Sequence, residues 1–132
     1  MTLDVYGVGN TLVDIQVQVT DELLESLGFA KGMMTLVDHD AQQRVLQVLG
    51  QLPRNQSAGG SAANTILGIA GLGGRTAYAG KVGDDSLGRF CLEDMRANQI
   101  TVDVPFSDGP TGTCLVLITD DAQRTMLTFL GV

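Results

Sequence analysis

The chain has 132 residues, 44% of them hydrophobic and 17% charged, with seventeen glycines and no tryptophan. That length and mixture suit one folded domain and exclude a disordered polymer, and a formal net charge of −7 argues against a nucleic-acid backbone as partner. No apolar run approaches the ~20 residues of a bilayer span, no basic and then apolar leader is visible, and the two cysteines lie outside any Cys-x-x-Cys or Cys/His cluster, which favours reduced thiols in a cytoplasmic protein.

Leu3 to Gly9 reads as a buried strand. In Leu12 to Val19 the apolar Val13, Ile15, Val17 and Val19 alternate with Asp14, Gln16 and Gln18, the pattern of a strand with one wet face. Thr20 is placed to cap a short helix to Leu27, which Gly28 stops. Met33 to Val37 is a short apolar strand. Asp38 then caps a helix running to about Gln51, with Val45, Leu46, Val48, Leu49 and Leu52 on its buried side and Pro53 ending it. Gln56 to Ala58 leads into the turn Gly59-Gly60.

Ser61 to Leu72 follows as a helix whose small residues allow close packing on a sheet. Thr76 to Val82 is a strand, and Ser86 to Asn98 an amphipathic helix showing Leu87, Phe90, Cys91 and Met95 to the core. Val102 to Phe106 and Cys114 to Thr119 are strands around the turn Ser107 to Pro110. Asp120 to Ala122 is another turn, and Thr125 to Leu130 a last strand. The alternation of strand and helix in the middle implies a parallel sheet with helices packed on it. The short strands near 12–19, 33–37, 102–106 and 114–119 read as a separate antiparallel sheet. Gly131-Val132 carries neither cap nor polar tail, so the chain reads as stopping in mid-structure.

Several residues invite a chemical reading beside a plain one. Asp14, on the polar side of a strand, is by pattern alone a solvated residue. Gly59-Gly60-Ser61 is either a tight turn with a serine cap or a helix start whose free N–H groups meet ligand oxygens. Asn64 is a poor helix former, which surface exposure or a ligand hydrogen bond would explain. Lys81 reads as a surface residue among acidic neighbours, Asp84 and Asp85 as capping carboxylates, and His39 as a solvated residue at a helix start. Cys114 reads as a buried apolar residue rather than a nucleophile. Gly7-Val-Gly9 lacks the third glycine of a dinucleotide fingerprint, and Gly68 to Gly74 contains no Gly-Lys-Ser/Thr of a P-loop.

In combination these segments resemble the PfkB family, the ribokinase and adenosine kinase group of sugar and nucleoside kinases. Gly9-Asn10-Thr-Leu-Val-Asp14 is similar to that family's Gly-Asn-x-x-x-Asp. Gly59-Gly60-Ser61-Ala-Ala-Asn64 is similar to its Gly-Gly-x-x-x-Asn, and Gly80-Lys-Val-Gly83-Asp84-Asp85-x-x-Gly88 closes its first signature. Pro110-Thr-Gly-Thr-Cys114 and Gly32-Met-Met-Thr-Leu36 resemble the adenosine-kinase-like branch.

The resemblance implies an α/β fold: the N-terminal part of one parallel-sheet, Rossmann-like ribokinase domain with a small antiparallel β lid. The lid would hold strands 12–19, 33–37, 102–106 and 114–119, and the core 3–9, 38–98 and 125–132. It implies acceptor contacts from Asn10, Asp14, Gly59, Gly60, Ser61 and Asn64, with Met34, Leu36 and Cys114 as apolar walls of a nucleoside site. It implies phosphoryl transfer from ATP, with Mg²⁺, to a sugar CH₂OH of a small-molecule sugar or nucleoside.

The family's second signature, an Asp-Thr-x-Gly-Ala-Gly-Asp turn with the catalytic base, is absent from these 132 residues. The resemblance thus places the ATP and Mg²⁺ sites elsewhere, assigns no catalytic residue or metal ligand here, and makes the chain by itself inactive. It leaves open a homodimer through the lid and a second reading, a non-catalytic binding or dimerisation module derived from the kinase fold.

Overall fold

A computed structural model describes residues 2–132. In chain order the elements are β1 (Val5–Val8), β2 (Leu12–Gln18), α1 (Asp21–Leu27), β3 (Met34–Leu36), α2 (His39–Leu49), β4 (Arg54–Gly59) and α3 (Ser61–Gly71). There follow β5 (Thr76–Ala79), β6 (Val82–Gly83), α4 (Ser86–Ala97), β7 (Thr101–Val102), β8 (Phe106–Ser107), β9 (Gly112–Ile118) and β10 (Arg124–Phe129). They form two units. One holds the chain up to Val13, Ser57–Gly112 and Leu130–Val132, and the other holds Asp14–Gln56 and Thr113–Phe129.

The first unit is built on a parallel sheet of order β1-β5-β7, with Val5 opposite Thr76 and Ala77 opposite Thr101. The strands are short and apolar, and the helices between them supply the crossovers that parallel pairing demands. Helix α3 packs so closely that a Cβ on Gly7 would stand 2.5 Å from Ile66 Cγ1. Ala63, Ile66, Tyr78, Cys91, Leu92 and Met95 fill the core. Asp85 caps α4, accepting from Gly88 N at 2.7 Å, and also accepts from Thr111 N at 2.8 Å and Thr111 Oγ1 at 2.6 Å. Those three donors hold its carboxyl below the usual carboxylate range against a desolvation penalty.

The second unit carries most of a sheet of order β3-β10-β9-β2-β4. β10 runs antiparallel to β9, with Met126 opposite Val116 and Thr128 opposite Cys114, and parallel to β3, with Met126 opposite Met34 and Thr128 opposite Leu36. Alternation then sorts the side chains. Ile15, Val17, Leu115, Leu117 and Leu127 are buried, with Leu24 of α1 and Val45 and Leu49 of α2. Gln42 of α2 is buried with them and donates to the backbone carbonyls of Thr113 at 3.2 Å and Leu127 at 3.0 Å, while Thr113 Oγ1 donates to its Oε1. Thr20 caps α1 by accepting from Leu23 N, Gly28 ends it at φ +78°, and Asp38 caps α2 by accepting from Ala41 N.

Four details depart from the sequence reading. The expected strand Val102–Phe106 does not enter the five-stranded sheet: Thr101–Val102 joins the parallel sheet and Phe106–Ser107 pairs with β6. β10, expected with the α/β core, lies between β3 and β9, and its parallel pairing with β3 makes the sheet mixed rather than antiparallel. Helix α2, also expected with the core, belongs to the second unit. Arg54–Gly59 is a full strand where only a lead-in to the glycine turn was expected.

Candidate functional site

In the second unit Cys114, Met34 and Leu36 share one face of the sheet. Register places Cys114, Thr128 and Leu36 in one row, with Val116, Met126 and Met34 in the next. Met34 and Leu36 expose 51% and 61% of their surface, whereas Cys114 is buried. The Cys114 thiol accepts from Thr128 Oγ1 at 3.5 Å, and burial pushes its pKa up, with the charge of Asp14 adding in the same direction. It is therefore a buried, protonated thiol rather than a nucleophile.

Asp14 lies on β2 between the buried Val13 and Ile15, on the opposite face from them. Burial pushes its carboxyl above the ordinary range, and among the described residues it has no hydrogen-bond or salt-bridge partner to offset that cost. Asp14 is therefore a partly desolvated acid that no protein group compensates.

In the first unit α3 begins at Ser61, and its cap is Gly60 rather than a serine side chain. Gly60 takes φ +95° and ψ 148°, backbone that suits glycine alone, and a Cβ there would lie 2.7 Å from the carbonyl oxygen of Asn10. The Gly9-Asn10-Thr11 turn is thus pressed against the start of α3. No side chain caps that start, so its leading N–H groups keep their capacity for an outside acceptor. Ser61 and Asn64 are exposed, Gly59 is buried, and the Asn64 amide has no side-chain partner among the described residues.

Several other charged residues are engaged locally. Asp84 pairs with Arg89, Arg75 with Asp4, and Lys31 with Asp21 and Asp121. Asp121 is drawn down to about 2 chiefly by the Lys31 ammonium, and Asp4 to about 2 by Arg75. His39 lies tilted against Phe129, ring centroids 5.2 Å apart. Sequence reading missed Thr11 and Tyr78, which are buried together beneath the Asn10 turn. Tyr78 lies within the short strand β5 and Thr11 just before β2, and nothing local in the sequence pairs them.

A family model described as pfkB family carbohydrate kinase matches residues 31–132. Adenosine kinase from Saccharomyces cerevisiae is 34% identical over 138 residues, covering 99% of this chain and 40% of that protein. Fructokinase from Salmonella typhimurium is 35% identical over 72 residues, covering 53% of this chain and 24% of that protein. The crystal structure of adenosine kinase from Sinorhizobium meliloti superposes with a TM-score of 0.86 at 39% identity, covering 98% of this chain and 39% of that one. The chain thus spans about two fifths of the length of the adenosine kinases it matches.

Proposed function

The chain belongs to the pfkB family of carbohydrate kinases, and on that premise we propose that it is the acceptor-binding portion of an ATP-dependent kinase that phosphorylates the CH₂OH of a nucleoside. The observation that carries the reading is Asp14: a partly buried carboxylate with no protein partner, on the strand beside β9 and close enough to Cys114 for its charge to raise that thiol's pKa. An acceptor hydroxyl donating to Asp14 would satisfy it with a charge-assisted hydrogen bond. Met34 and Leu36, exposed on the face that bears Cys114, suit a base better than more hydroxyls. In the other unit, Asn10, Gly59, Gly60, Ser61 and Asn64 are proposed as acceptor contacts, through the uncapped start of α3 and the Asn64 amide. Holding an acceptor hydroxyl in place is a large share of the work in phosphoryl transfer, because that transition state asks mainly for position and charge.

ATP and Mg²⁺ are the co-reactants that this reaction needs. Among the described residues no group of three or more His, Cys, Asp or Glu side chains could hold a metal ion, and Asp84 and Asp85 are engaged by Arg89, Thr111 and Gly88. The residues present do not fit Mg²⁺, so no step above passes through it.

A calorimetric titration of the chain with adenosine, ribose and fructose tests the reading. Adenosine should bind more tightly than either sugar, and Cys114→Arg should weaken adenosine most. Tighter binding of a bare sugar, unaffected by Cys114→Arg, would place Cys114 outside the pocket and turn the reading toward a sugar acceptor.

A further inference from the structure

Tyr78 is 3% exposed and Thr11 4%, and each carries a hydroxyl into the core of the first unit. The Tyr78 hydroxyl lies 3.1 Å from the Gly9 carbonyl oxygen and 3.4 Å from Thr11 Oγ1. A phenol has one proton, and the carbonyl can only accept. Tyr78 therefore donates to Gly9 O, and Thr11 Oγ1 donates to Tyr78. The two hydroxyls form a short directed chain that ends on the carbonyl just before Asn10.

The surrounding backbone is shaped to admit that chain. A Cβ on Gly80 would stand 2.0 Å from Thr11 Oγ1 and 2.9 Å from Gly9 O. A Cβ on Gly9 would stand 2.6 Å from Ala62 Cβ on α3, and one on Gly60 would meet Asn10 O. Gly9 N also donates to Ala79 O at 3.2 Å. The turn is gripped by α3 on one side and by β5 on the other. Burial pushes the Tyr78 phenol up, so it stays protonated and its donation to Gly9 O holds across the working pH range.

We propose that Tyr78 is a positioning residue that, with Thr11, fixes the Gly9–Thr11 turn and so aims Asn10 at an acceptor hydroxyl. The inference rests on the acceptor-binding reading above and adds two specificity-determining residues to it. A phenylalanine would fill the same space and keep the packing. It would release the Gly9 carbonyl and let the turn wander by the few tenths of an ångström that separate a hydrogen bond from a near miss.

The test is Tyr78→Phe in the 132-residue chain, with adenosine, 2′-deoxyadenosine and 3′-deoxyadenosine titrated by calorimetry and the urea midpoint measured on the same samples. Adenosine affinity should fall about tenfold, the size of one well-aligned hydrogen bond. Its preference over at least one deoxynucleoside should shrink by about the same factor, because that deoxynucleoside never used the contact. Thr11→Val should act in the same direction and carries the same test should Tyr78→Phe not fold. An equal loss for all three nucleosides, or a lowered urea midpoint with unchanged affinities, would make the hydroxyl pair merely structural and overturn the inference while leaving the acceptor reading standing. A wild-type chain that binds none of the three would overturn both.

Discussion

Asp14 is held in two minds by its surroundings: burial favours the neutral acid, and a ligand hydroxyl would favour the carboxylate. Its raised pKa fixes two opposite pH slopes. Between the ordinary aspartate value of 3.8 and the raised value, the folded chain holds a proton that the unfolded chain has released. Stability therefore declines as pH climbs through that window and is level above it. Acceptor affinity should climb through the same window, since the ligand prefers the ionised form. Asp14→Asn should flatten both slopes, which urea melts and titrations at stepped pH would reveal; slopes that persist in the variant belong to another group. Asp14→Ala should weaken acceptor binding by about 2–4 kcal/mol, because hydroxyls would be left without an acceptor. Affinity equal to wild type would return Asp14 to a solvated strand residue. Gly60→Ala forces a side chain into glycine-only backbone against Asn10 O and should cost about 1–3 kcal/mol of stability by chemical denaturation.

Among the elements, one side chain of α2 is tied to both β9 and β10. Gln42 spans the carbonyls of Thr113 and Leu127. Gln42→Leu keeps most of the volume but strips those bonds and strands Thr113 Oγ1, so a loss of about 1–3 kcal/mol is expected in urea unfolding. A neutral effect would mean water replaces the amide. That clamp was invisible in the sequence, where Gln42 and Gln43 look alike. What was legible were features with a local cause: the caps at Thr20, Asp38 and Asp85, the stop at Gly28, and the alternation of β2; the end of α2 was read too late, because Gly50 rather than Pro53 stops it. The polar strand Arg54–Gly59 was missed because an edge strand need not be apolar when much of it is exposed. Val102 to Phe106 was read as one strand of the wrong sheet because the two-residue strands there carry no periodicity. At the site, the glycines and the Asp14 and Asn64 positions could be read from motifs. The Thr11–Tyr78 pair could not, since 67 positions separate its members.

For the molecule as a whole, the 132-residue chain should show no phosphoryl transfer from ATP to adenosine, because it contains no Asp-Thr-x-Gly-Ala-Gly-Asp turn to supply a base. Steady turnover above background, with contaminating kinase removed, would contradict this. β1 lies at the edge of its sheet with Tyr6 60% and Val8 69% exposed, so sedimentation velocity should show self-association that Val8→Lys suppresses. A concentration-independent monomer would sink that expectation. The sheet order β3-β10-β9-β2-β4 also sets a clock for synthesis. β2 ends at Gln18, yet its neighbour β9 begins only at Gly112. At roughly 5–20 residues per second, β2 waits about 5–20 s on the ribosome with Ile15 and Val17 lacking their final cover. A nascent chain halted before β9 should therefore be a ready client for chaperones, and one extended past Phe129 should let them go.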